Sequence, residues 1–116
     1  STLSLPSSVT FNAVPFDLYK STVHWGTNCY AIIVTHDHKL DFEITALCLA
    51  ESTKFIGLIG SKTKRNKFHH MLRDELGFES GMNPVHCPVG LDLGGHTPKE
   101  IAISIAAQLL QVCYEK

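Results

Sequence analysis

A chain of 116 residues with 44% hydrophobic content has room for one small domain and a modest core. Ten basic residues against eleven acidic ones, a formal charge of −1, argue against a nucleic-acid binder or a membrane-surface protein acting through bulk electrostatics. No apolar run reaches the roughly 18 residues a membrane span requires, and the opening STLSLPSS lacks the charged and apolar regions of a secretory leader.

Residues 1–8, Ser-rich with Pro6, read as a loop or linker ahead of a domain over residues 9–116. VTFNAV (Val9 to Val14) alternates weakly and is compatible with a short strand closed by Pro15. CYAIIVT (Cys29 to Thr35) is a continuous, β-branched apolar run, the pattern of a strand buried on both faces. After HDH the spacing turns helical, with Leu40, Ile44, Leu47 and Cys48 on one face and Asp41, Glu43 and Thr45 off it. KFIGLI (Lys54 to Ile59) predicts a second buried strand. Phe68, Met71, Leu72 and Leu76 then recur at helical spacing up to Gly77, a natural stop. VHCPVGL predicts a short third strand broken by Pro88. Thr97-Pro98-Lys99-Glu100 is a capping box with proline at the first helical position, and Ile101, Ile105, Leu109 and Val112 carry one face of the last helix. Strand, helix, strand, helix, short strand, helix is an α/β pattern with a parallel sheet and flanking helices. The four cysteines (Cys29, Cys48, Cys87, Cys113) lie in or beside apolar runs without C-x-x-C spacing, and read as reduced thiols of a cytoplasmic protein.

In open parallel sheets ligands gather beyond the carboxyl ends of the strands. That rule places Thr35-His36-Asp37, Gly57 to Arg65 and Pro88 to Gly95 on one rim. Within it, IGLIGSKTKRNKF (Ile56 to Phe68) sets Lys62, Lys64, Arg65 and Lys67 at a helix start. Each cation there costs roughly 0.3–1 kcal/mol against the helix dipole unless an anion compensates. Gly60-Ser61 permits close backbone approach, and the first helical N–H groups point outward, so the segment suits an anion. A tight turn followed by a solvated basic face explains the same residues without a ligand. Neither the P-loop pattern nor G-x-G-x-x-G occurs.

Thr35, His36, Asp37 and His38 offer ligand contacts or an acid–base pair, or else a helix cap by Asp37 with exposed histidines. Seven histidines include no i, i+4 pair and no H-E-x-x-H, which disfavours structural zinc. His86 and Cys87, adjacent in a strand, point to opposite faces, so burial suits Cys87 better than nucleophilic chemistry. Gly90, Gly94 and Gly95 supply positive φ or close approach ahead of the last helix.

VTHDHKLDFEITALCLAESTKFIGLIGSKTKRNKF and HCPVGLDLGGHTPKEIAISIAAQLL together resemble the C-terminal Rossmann-like domain of the XdhC/CoxI family, the xanthine dehydrogenase accessory proteins. The family pattern falls on Thr35-His36 and Asp41, Gly57 to Ser61 with Lys62 and Lys64, Pro88 to Gly94, and Thr97 to Ala107. The family's first strand, its G-x-G-H-V-G turn and the next unit have no counterpart before Ser1. The resemblance therefore implies a Rossmann-like domain lacking its first βαβ unit, with residues 9–28 as a strand and its connection and an exposed edge on CYAIIVT. It implies binding of the molybdenum cofactor (molybdopterin), support of its sulfuration, and insertion into a xanthine dehydrogenase-type molybdenum hydroxylase. Expected partners are that enzyme, a cysteine desulfurase and a second copy of the chain, and not nucleic acid or membrane. The cofactor phosphate would meet Thr35, His36, Gly57, Gly60, Ser61, Lys62, Lys64, Arg65 and Gly90. Reversing Lys64 and Arg65 together is expected to abolish retention and leave the fold intact. Two other classes stay open: an NAD(P)- or nucleotide-dependent oxidoreductase using His36 or Asp37, and a plain interaction module docking through the sheet edge or basic turn.

Overall fold

The computed structural model describes residues 15–26 and 28–115 together with Ser7, Val9 and Ala13. A short helix α1 (Phe16–Tyr19) runs into a 3-10 turn (Lys20–Thr22). It is followed by β1 (Tyr30–Ile33), α2 (His38–Ala50), β2 (Phe55–Leu58), α3 (Lys62–Asp74), β3 (Val85–His86) and α4 (Pro98–Cys113). The strands form one parallel sheet in the order β1-β2-β3, with Tyr30 opposite Phe55, Ile33 opposite Leu58, and Ile56 opposite Val85. Parallel neighbours require a long crossover, which α2 and α3 provide. The predicted α/β class and the order of its last six elements are therefore present. The linker over residues 1–8 and the strand over 9–14 fall almost wholly outside the described residues.

Local chemistry starts and stops the helices where expected. Asp37 caps α2 by accepting from the N–H groups of Lys39 and Leu40 at 2.9 and 3.3 Å, and Ser61 Oγ caps α3 by accepting from Lys64 N–H at 3.2 Å. At α4, Thr97 Oγ1 accepts from Glu100 N–H while Glu100 Oε1 accepts from Thr97 N–H, a closed capping box with Pro98 at its first position. Gly77, with φ +73°, turns the chain after α3. Leu76 lies past the end of that helix and is exposed, so the buried face of α3 is Phe68 and Leu72.

Alternation along β2 splits its residues between two faces. Ile56 and Leu58 join Ile33, Cys48, Phe68, Leu72, Met82, Val85 and Cys87 in the core beneath α2 and α3. Phe55, on the opposite face, stacks on His86 at 4.6 Å and lies 6.4 Å from Tyr30, an aromatic row across the three strands. Gly57 shares that face by the same alternation, and it is glycine because any Cβ there would collide with the Val89 side chain. His86 and Cys87 do part to opposite faces, and burial pushes the Cys87 thiol up from its ordinary value.

Two expectations about burial fail, and a third holds in part. In β1 only Ile33 is fully buried and Tyr30 is exposed, because β1 pairs only with β2 and is an edge of the sheet among the described residues. In α2 the buried stripe is Asp41, Thr45 and Cys48, one residue along from the apolar stripe read in the sequence. Hydrogen bonding makes this tolerable: Thr45 Oγ1 donates to the Asp41 carbonyl at 2.7 Å, and the Asp41 carboxylate has strong partners described below. In α4 the expected face holds at Ile105, Leu109 and Val112, which are half-buried, and Ile101 of that face is exposed; the buried residue is Ser104, packed against Gly90, and Ile103 and Leu110 face outward. No helix among the described residues is long and apolar enough to cross a membrane.

Candidate functional site

Parallel strands and crossover helices bring the carboxyl ends of β1 and β2 side by side, each leading into a helix N-terminus. Between them opens a cleft of about 400 Å³ lined by Thr35, His36, His38, Ile59, Gly60, Ser61 and Lys64. Another depression of about 390 Å³, lined by Leu49, Gly77 to Gly81 and Pro84, lies beyond the opposite ends of α2 and α3 and offers little chemistry besides Glu79.

A buried ion pair forms the wall of the first cleft. Lys64 Nζ lies 2.6 Å from Asp41 Oδ2 and also donates to the Ile59 carbonyl at 3.1 Å. The other oxygen of Asp41 accepts from Thr35 Oγ1 at 2.6 Å and from Thr35 N–H at 3.2 Å. Thr35 Oγ1 in turn accepts from Asp37 N–H at 3.1 Å, tying the cap of α2 into the cluster. Only 2% of the Asp41 side chain and 12% of the Lys64 side chain are exposed, so little water screens the pair. Burial alone would raise the Asp41 pKa, but the Lys64 ammonium and the Thr35 hydroxyl outweigh it and hold the carboxyl below its ordinary value. Gly60 gives the lysine its seat, since a Cβ at that position would come within 2.7 Å of Lys64 Cδ.

The remaining positive character comes from the helix itself. Lys62 and Thr63, as the first two residues of α3, have backbone N–H groups without intrahelical acceptors. Lys62 is exposed beside them. His36 and His38 stand exposed on the opposite lip. Together these groups can hold an anion such as a phosphate at the mouth of the cleft.

Of the residues the sequence singles out, the fold gathers Thr35, His36, Gly60, Ser61 and Lys64 on this cleft, while Lys62 does not line it and is exposed next to Ser61. Gly57 lies within β2 against Val89. Arg65 donates to Asn83 Oδ1 at 3.4 Å, toward the loop before β3. Gly90, at φ +107°, abuts Ser104 and donates its N–H to Gln108 Oε1 at 2.7 Å, which places it with α4. Lys64 carries a partner that its sequence neighbours do not reveal, and reversing it would set a carboxylate against buried Asp41. Reversing Lys64 and Arg65 is therefore expected to disturb the fold as well as the cleft. Asp41 belongs to the site although it is not among the expected contacts, and the family pattern that falls on it is a signal. In the structure Asp41 shares the buried stripe of α2 with Thr45 and Cys48, four and seven residues on, where a charge needs a partner. Among the described residues no group of three His, Cys, Asp or Glu side chains is placed to hold a metal ion.

Residues 5–109 match the family model described as the XdhC Rossmann domain. The uncharacterized protein YqeB of Escherichia coli K12 is 30% identical over 107 residues, which are 92% of this chain and 19% of that protein. A probable xanthine dehydrogenase subunit of Bacillus subtilis 168 is 32% identical over 84 residues, 70% of this chain and 22% of that one. Among solved structures, a xanthine dehydrogenase from Bacillus halodurans superposes with a TM-score of 0.66 at 30% identity, covering 84% of this chain and 27% of that one. The chain thus spans about a fifth of the length of the curated relatives it matches.

Proposed function

The chain belongs to the XdhC Rossmann domain family, and from that premise we propose that it binds the molybdenum cofactor and serves the maturation of a xanthine dehydrogenase-type molybdenum hydroxylase. Its part is to receive the cofactor, protect it during sulfuration by a cysteine desulfurase, and hand it to the hydroxylase. Xanthine dehydrogenase in the names of two relatives supports the choice of client.

The observation that carries the reading is the cleft where α3 begins. Its lining ends at Ser61, where α3 begins, and the surroundings suit the phosphate end of molybdopterin: the free N–H groups of the next two residues, Lys62 and Thr63, the exposed Lys62 beside them, and His36 and His38 across the cleft. Bound in its client, the cofactor supplies the redox-active molybdenum centre. This chain would contribute binding and orientation of the phosphate and shelter from water on the Ile59 side.

Titrating a molybdopterin-type cofactor and NAD(P) side by side into the wild-type chain and Lys62→Glu tests it. Because Lys62 opposes the helix dipole, its reversal should raise stability by roughly 0.3–1 kcal/mol while weakening cofactor binding about tenfold. Unchanged cofactor binding by Lys62→Glu would sink the assignment of this cleft. Saturable NAD(P) binding without cofactor binding would move the chain to the nucleotide-dependent class.

A further inference from the structure

We infer that Asp41 is the affinity-setting residue of the cleft, cancelling the Lys64 charge so that an anion binds there weakly enough to be released. The inference rests on the reading of that cleft as the receiver of a phosphate-bearing group.

Geometry makes the cancellation permanent. Asp41 and Lys64 meet at 2.6 Å with little exposure on either side chain. The carboxylate cannot swing away, because Thr35 holds its other oxygen through both hydroxyl and backbone N–H. The ammonium cannot swing out freely either, because the Ile59 carbonyl holds a second of its three N–H bonds and its stem lies over Gly60. An anion entering the cleft therefore meets a neutral pair in the wall, with Asp41 behind Lys64. Attraction comes from the start of α3, where the exposed Lys62 and Thr63 follow the cleft-lining Ser61 and are screened by water. Such a site discriminates by hydrogen-bond geometry and does not trap its ligand, which suits a protein that must give its cargo up.

Calorimetric titration of inorganic pyrophosphate into the full chain compares wild type with Asp41→Asn. Asparagine retains an acceptor for Thr35 and removes the charge, so pyrophosphate should bind about tenfold tighter. Equal or weaker binding by an Asp41→Asn chain that circular dichroism shows to be folded overturns the inference. A second measurement on wild type covers the case in which the variant does not fold. Adding pyrophosphate should shift the Lys62 and Thr63 amide resonances and leave the Lys64 ammonium resonance in place. An ammonium shift as large as the amide shifts overturns the inference, because Lys64 would then be leaving Asp41 for the anion. Absence of any pyrophosphate binding by wild type overturns the phosphate-site reading itself, an outcome separate from either of the others.

Discussion

The starts of α2 and α3 and the outer surface of α4 invert the usual relation between polarity and burial. At the first, an aspartate, a lysine and two threonines are drawn inward and linked by short hydrogen bonds. At the second, a helix richer in apolar residues leaves Ile103 62% and Leu110 58% exposed and buries a serine. Polar groups can be buried when every strong donor and acceptor finds a partner, whereas apolar groups are buried only where the fold supplies a surface to cover them. The turn after β1 and the first turn of α3 bring partners to Asp41. Nothing among the described residues is brought over the outer face of α4.

Substitutions should reflect the contrast, and the largest effect belongs to the ion pair. Lys64→Met leaves the Asp41 carboxylate buried without its cation and should cost about 3 kcal/mol, read by urea unfolding. A cost near that of an exposed pair, below about 1 kcal/mol, would show that Asp41 is reached by water. Acid unfolding probes the same pair. The Asp41 carboxyl titrates lower in the folded chain than in the unfolded one. Its stabilising contribution is therefore complete above the ordinary carboxylate value of 3.8 and is lost as pH falls through the lower folded value. Asp41→Asn should remove that part of the pH slope.

The cap of α4 ranks next. Thr97→Ala removes the side-chain half of the capping box, leaving the Thr97 N–H to Glu100 bond, and should cost about 1 kcal/mol, visible as a lower melting temperature. If the outer face of α4 is as free as described, Ile103→Ser should change stability by no more than about 0.5 kcal/mol in the isolated chain. A loss of about 2 kcal/mol or more, measured by the same unfolding curve, would mean that Ile103 is covered in solution and would erase the difference between the two regions.

How much of this is legible in the residues depends on the range of the interaction. Asp37, Ser61 and Thr97 are readable as helix starts because a cap is closed by N–H groups two or three residues on. The buried β2 is readable because four successive apolar or glycine positions have no solvent face to serve. The face of α2 is not, because hydropathy treats Asp41 and Thr45 as outward residues, and the residue that neutralises Asp41 lies 23 positions away. Arg65 and Gly90 fall on the rim by proximity in sequence to real rim residues, while helix rotation sends one to Asn83 and chain reversal sends the other to α4.

From its residues alone this protein is legible as an alternating α/β chain with a parallel sheet, three capped helices and an anion-suited turn at Gly60-Ser61. Periodicity, caps and turns act over a few positions, and a sequence displays them directly. Only the folded chain decided that Lys64 answers to Asp41, that Thr35 braces the carboxylate, and that Ile103 and Leu110 of α4 stay uncovered. Those outcomes depend on which segments the sheet brings within hydrogen-bonding distance, and that distance is measured across the fold and not along the chain.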